Sequence, residues 1–123
     1  MESATSLEIQ TLLIQPEEEC LEAFALRAGL LGIGLLPHPA SELVEAARNW
    51  LAANLPDIRA AICRNQRVRS LCTIPPGEES RLHLALAISE VLGHHIVKQP
   101  GVAPLSVLCV KMGVEKLCRE CWL

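Results

Sequence analysis

Cys118-Arg119-Glu120-Cys121 is the segment whose residue types and spacing come nearest to a reactive centre. Two thiols three residues apart can hold one Zn²⁺ between them or interconvert with a disulfide, because a single turn of backbone keeps both sulfurs close. A structural zinc site needs two more ligands. The chain has neither a second C-x-x-C nor an H-x₃₋₅-H, so Cys109, His94 or His95 would have to complete the set. The redox version lacks the strand that precedes the motif in a thioredoxin-like unit. On a helix the same i, i+3 spacing places Cys118 and Cys121 on the apolar stripe of Val114 and Leu117, and core packing is the reading these neighbours favour. All six cysteines (Cys20, Cys63, Cys72, Cys109, Cys118, Cys121) are expected as buried, reduced thiols, with no metal and no cofactor.

Other chemistry finds less to work with. Nucleophilic catalysis requires a thiol or hydroxyl beside an oriented base, and no spacing selects one cysteine–histidine pair. His38, His94 and His95 sit where elements are expected to end, and His83 interrupts an apolar helix, which suits a hydrogen-bonded core or boundary histidine. The acidic residues cluster at helix starts, where the helix dipole already accounts for them, so no carboxylate pair is selected for acid–base work. No catalytic residue is assigned, and the chain is not expected to be an enzyme.

Charge placement is more suggestive. Glu17, Glu18, Glu19 and Glu22 make one helix acidic, and Arg59, Arg64, Arg67 and Arg69 make another basic. Patches of opposite sign on one small domain can meet between copies or across to a partner, and these eight residues are the candidate interface. The competing account is two solvated faces, the acidic one serving the dipole of its own helix.

The elements that must position these residues follow from periodicity and punctuation. Segments of helix length lie between prolines and glycines, and six helices are expected. The first covers about Ser6 to Ile14, and the second runs from Pro16 to about Gly29 with three glutamates in its first turn. The glycine-rich apolar stretch 29–36 is expected as a buried or partly buried connection; its glycine spacing fits neither a dinucleotide fingerprint nor a P-loop. Ser41-Glu42 opens a third helix with Leu43, Ala47, Trp50, Leu51 and Leu55 on one face, ended by Pro56. Pro56-Asp57 restarts a fourth whose stripe is Ile58, Ala61, Ile62, Val68 and Cys72. After Pro75-Pro76-Gly77, a fifth helix carries apolar residues around most of its circumference from Leu82 to Leu92, ends near Gly93 and the His94-His95 pair, and is expected at the centre of the bundle. A sixth begins near Pro104 and continues through Cys121. The resulting fold class is all-α, a single compact domain of about six helices over residues 1–123. An α+β alternative would place short strands near 7–14 and 81–88.

Composition excludes several classes. A formal charge of −3 and a pI near 5.8 argue against phosphate-backbone binding, so no nucleic-acid partner is expected. The most apolar stretch, Ala23 to Leu36, is interrupted by Arg27 and is too short to span a bilayer. No basic segment precedes an apolar run at the N-terminus, and a cytoplasmic location is expected. The apolar fraction of 50% implies an ordered chain, while aromatic packing is limited to Phe24, Trp50 and Trp122. In helix count and size the chain resembles the six-helix adaptor domains of the death fold, which assemble through complementary charged patches; the likeness is one of architecture. The expected function is a non-catalytic interaction, adaptor or regulatory module that binds a protein partner or itself. One alternative is a small zinc-binding or redox protein using Cys118 and Cys121. Another is a small-ligand binder with a pocket lined by Met112, Cys109 and His83.

Overall fold

The computed structural model describes residues 6–32, 38–75, 77–96 and 101–122, with the side chains of His94 and His95 left aside. Seven helices occur among these residues: α1 (Ser6–Leu13), α2 (Glu17–Ala28), α3 (Ala40–Cys63), α4 (Gln66–Leu71), α5 (Glu78–His95), α6 (Val102–Met112) and α7 (Val114–Leu117). No strand is present among the described residues; of the segments near 7–14 and 81–88 that could have been short strands, residues 7–13 and 81–88 are helical. Alternation over four positions cannot by itself separate a strand from a buried helix face, and here the helix prevails.

Local chemistry explains most boundaries. Pro16 caps α2, and Glu17, Glu18 and Glu19 fill its first turn. Gly29 ends it in the left-handed conformation at φ 65°, where a side chain would be strained, and Leu30 N–H reaches back to Ala25 O at 3.1 Å. Leu30 beyond it is half-buried and Leu31 is exposed; the rest of the expected connection, residues 33–36, lies outside the described residues. At the start of α5, Ser80 Oγ accepts the Gly77 N–H at 2.9 Å.

Two boundaries differ from the sequence expectation. The third helix does not stop at Pro56. It starts at Ala40, one residue ahead of the expected Ser41 cap, and runs through the proline to Cys63. Proline removes one intrahelical donor and crowds the preceding turn, at a cost of about 3 kcal/mol. Ile58 and Ile62 beyond it are fully buried, and that burial offsets the cost and keeps the axis continuous. The break comes instead at Asn65, whose side-chain oxygen accepts the Val68 N–H at 3.0 Å and so opens α4. The last helix is likewise divided, at Gly113 with φ 95°, into α6 and the single turn of α7.

The centre of the bundle is α6 rather than α5. Every residue from Val102 to Cys109 is buried, including Ser106, whose hydroxyl donates to Val102 O at 2.8 Å. Helix α5 covers one side of it, burying Ala85, Ala87, Ile88, Ser89 and Leu92 while exposing Arg81, His83 and Glu90. His83 is thus an outward-facing residue and not a core one. Helices α1 and α2 also pack on α6, and α2 lies along α3. Phe24 of α2 is fully buried, with its ring 4.9 Å from that of Trp50 on α3 in an edge-to-face arrangement. Lys111 Nζ donates to Leu13 O at 3.1 Å, and Arg27 pairs with Glu8, tying α1 to α6 and α2. The buried apolar residues, Val102 apart, form one contiguous cluster to which all seven helices contribute.

Candidate interaction surfaces and the cysteine cleft

The acidic candidates lie on α2. Glu17, Glu18 and Glu19 are exposed and Glu22 is half-buried. Glu18, Glu19 and Glu22 form one wall of an open groove of about 460 Å³ whose other wall is the first part of α3, with Val44, Glu45 and Arg48. The basic candidates lie at the far end of α3 and on α4. Arg59, Arg64, Arg67 and Arg69 are all exposed. Arg67 reaches Glu90 of α5 at 3.6 Å, but both side chains are about two-thirds exposed, so this pair is weak and leaves Arg67 available. Arg69 stacks its guanidinium over the Trp122 ring at 5.7 Å.

The long α3 sets the distance between the two patches. From Val44, beside the acidic run, to Arg59 is fifteen residues by sequence number, or about 23 Å at the helical rise of ~1.5 Å per residue. The two groups of the candidate interface are therefore not brought together within one molecule; α3 holds them apart.

The structure gathers further residues around the basic end that sequence spacing alone did not select. Arg59 and Arg64 share a cleft of about 570 Å³ with Lys116, Arg119, Cys63 and Cys121, and Glu120 is its one acidic wall residue. A neighbouring cleft joins Cys63 and Cys121 to Asn65, Arg69 and Trp122. Trp122 fastens this corner: its indole N–H donates to Cys63 O at 2.8 Å, and its backbone N–H to Cys118 O at 2.9 Å. A tryptophan next to a basic cluster is the signal that was available in the sequence, but its partner, Cys63, lies 59 residues away.

The cysteines depart from the expectation of six buried thiols. Cys63 and Cys118 are joined by a disulfide across 55 residues, with their Cα atoms 5.3 Å apart, inside the range a disulfide bridges. The turn after Gly113 brings Cys118 against the last turn of α3, which i, i+3 spacing could not foretell. Cys118 is fully buried, as core packing requires, whereas Cys121 is an exposed thiol and does not extend the apolar stripe. Cys118 is therefore engaged with Cys63, and the C-x-x-C pair is not a two-thiolate ligand set in this state. Among the described residues no group of three or more His, Cys, Asp or Glu side chains could hold a metal ion; the side chains of His94 and His95 lie outside them. Cys20 and Cys109 are buried and Cys72 half-buried. Burial raises the pKa of all three thiols, that of Cys109 to about 12; at Cys20 the nearby Lys111 opposes the rise in part.

The residues suggested for an internal ligand pocket have different surroundings. Cys109 is closed within the core and Met112 is half-buried, while His83 borders an open groove between α1 and α5 with Leu7, Ile14 and Leu82. No helix among the described residues is long and apolar enough to cross a membrane. Comparison with family models, with curated proteins and with solved structures finds no match, so the likeness in helix count to death-fold adaptors is not accompanied by a match in fold.

Proposed function

We propose that this chain is a non-catalytic, cytoplasmic interaction module that self-associates head to tail, the acidic face of α2 on one copy meeting the basic end of α3 and α4 on the next. The observation that supports this reading is the separation set by α3. The acidic run of α2 lies beside the Val44 end of α3 and the basic patch at its other end, about 23 Å of helix away, which is more than two Debye lengths at physiological salt, so neither patch neutralises the other in its own molecule. Each is available to a second copy. A contact between different patches on identical subunits is heterologous, and it builds a ring or an open chain according to the rotation between copies.

The test is a charge swap read by light scattering and native mass spectrometry at low and raised ionic strength. Arg64→Glu with Arg67→Glu removes the basic patch, and Glu18→Lys with Glu19→Lys removes the acidic one. Each double variant alone should be monomeric and folded by circular dichroism, and an equimolar mixture should form a heterodimer through the one intact pair of patches. A wild-type monomer at low salt, or an oligomer that survives in either variant, would remove the proposal.

A further inference from the structure

The cleft at the basic end holds three cysteines, of which two are bonded and one is free. We propose that Cys121 is an internal nucleophile that exchanges with the Cys63–Cys118 disulfide, so that Cys118 alternates between a long-range bond to α3 and a local bond within its own turn.

Three placements lead to this. First, Cys121 is an exposed thiol whose residue borders the same two clefts as Cys63. Second, residues 118–122 form a closed turn, with Trp122 N–H bonded to Cys118 O at 2.9 Å. A bond from residue i+4 back to residue i closes one helix-like turn, in which Cα atoms three residues apart lie about 5 Å from each other, inside the span of roughly 4.4–6.8 Å that a disulfide bridges. Third, the indole of Trp122 is bonded to Cys63 O at 2.8 Å, so the residue after Cys121 is anchored to both half-cystines at once. The residue that carries the free thiol is thus followed directly by one bonded to the backbone of both half-cystines.

The step balances without an added oxidant. Cys121 gives its proton to solvent and attacks Sγ of Cys118 as a thiolate; the Cys118–Cys121 bond forms as the Cys63–Cys118 bond breaks, and Cys63 leaves as a thiolate that takes a proton back from solvent, so one thiol and one disulfide remain. Exchange is favoured when the leaving sulfur can carry negative charge. Cys63, though itself buried, lines the cleft shared with Arg59, Arg64 and Lys116, whereas Cys118 is fully buried and lines neither cleft; a thiolate is better carried at Cys63, which favours attack on Cys118 Sγ. In a reducing compartment the disulfides that do form are commonly transient or redox-sensing, and an exchangeable bond fits that setting. The exchange needs no second copy, so it stands or falls separately from head-to-tail association.

Tryptic mapping of the full chain distinguishes the outcomes, because Arg59, Arg64, Lys116 and Arg119 place Cys63, Cys118 and Cys121 on separate peptides, 60–64, 117–119 and 120–123. Native protein is incubated with iodoacetamide and no reductant, quenched in acid and digested. Exchange is expected to give alkylated Cys63 together with 117–119 linked to 120–123, at a rate independent of protein concentration. In Cys121→Ser, which alters an exposed position and should keep the fold by circular dichroism, Cys63 labelling should be lost. Labelling of Cys121 with only the 60–64 to 117–119 linkage would overturn the proposal. So would linkage of 60–64 to 120–123, or Cys63 labelling that persists in Cys121→Ser or rises with protein concentration.

Discussion

Reduction of the Cys63–Cys118 bond should destabilise this bundle by an amount set by its place in the chain. A cross-link removes loop-closure entropy from the unfolded ensemble, by about 2.1 + 1.5R ln n cal/mol/K for n residues in the loop. The bond spans 55 residues, so the entropy is about 14 cal/mol/K, or about 4 kcal/mol at 25 °C. That is a large share of the 5–15 kcal/mol typical of folded domains. Replacing either half-cystine would also leave a new group at a buried site, so reduction is the cleaner perturbation, applied to Cys121→Ser to prevent rearrangement. Urea unfolding with and without a phosphine reductant gives the comparison. With an m-value near 2 kcal/mol/M, the midpoint should fall by about 2 M. Coincident midpoints, with thiol counting to show that reduction was complete, would refute the reasoning, because they would mean that the unfolded chain gains nothing from release of the loop.

Two further outcomes test the core. Phe24→Ala removes the largest fully buried side chain and its edge contact with Trp50, and should cost about 3–5 kcal/mol in denaturant unfolding; a loss below about 1 kcal/mol would mean that α2 is not packed on α3 as described. Raised thiol pKa values give the stability a pH dependence on the alkaline side. Cys109 is held at about 12 when folded against 9.0 as its reference, so the folded state binds its proton more tightly; the contribution is complete below about pH 9 and is lost as pH rises from there towards 12. Cys20 and Cys72 act in the same direction. Cys109→Ala should flatten that alkaline decline relative to the parent, measured as unfolding free energy against pH, and an unchanged slope would count against burial as the cause.

How far the sequence revealed this arrangement depended on whether the deciding contact was local. Helix starts at Glu17 and Glu78 and the stop at Gly29 depend on residues within one turn, and they fall where pattern and capping chemistry place them. Pro56 misled because its local penalty is outweighed by the burial of Ile58 and Ile62, which becomes visible only once α3 is packed. The centre of the bundle was misplaced for a similar reason: α5 and α6 are both rich in apolar residues, and only packing decides that α6 has neighbours all round while His83 and Glu90 of α5 face outward. At the charged surfaces the residue types were legible and their spacing in space was not. It took the length of α3 to separate Glu18 from Arg59, and the turn at Gly113 to add Lys116, Arg119 and Cys121 to the basic end.

The two cysteine bonds proposed for Cys118 differ in what they do for the fold. A bond to Cys63 closes a loop of 55 residues, whereas a bond to Cys121 closes one of three. By the same chain-entropy relation the stabilisation differs by 1.5RT ln(55/3), about 2.6 kcal/mol. Exchange therefore leaves the number of disulfides unchanged while weakening the bundle, and the part freed directly is the corner where Trp122 and α7 meet the last turn of α3. Two hydrogen bonds from Trp122 and its contact with Arg69 would then hold that corner without a covalent tie. Arg59, Arg64 and Arg69 belong to the surface through which we propose that copies associate. Opening of this corner would change their mutual spacing, so a shift of the exchange towards the local bond would weaken association by loosening the basic patch while leaving its charge unaltered.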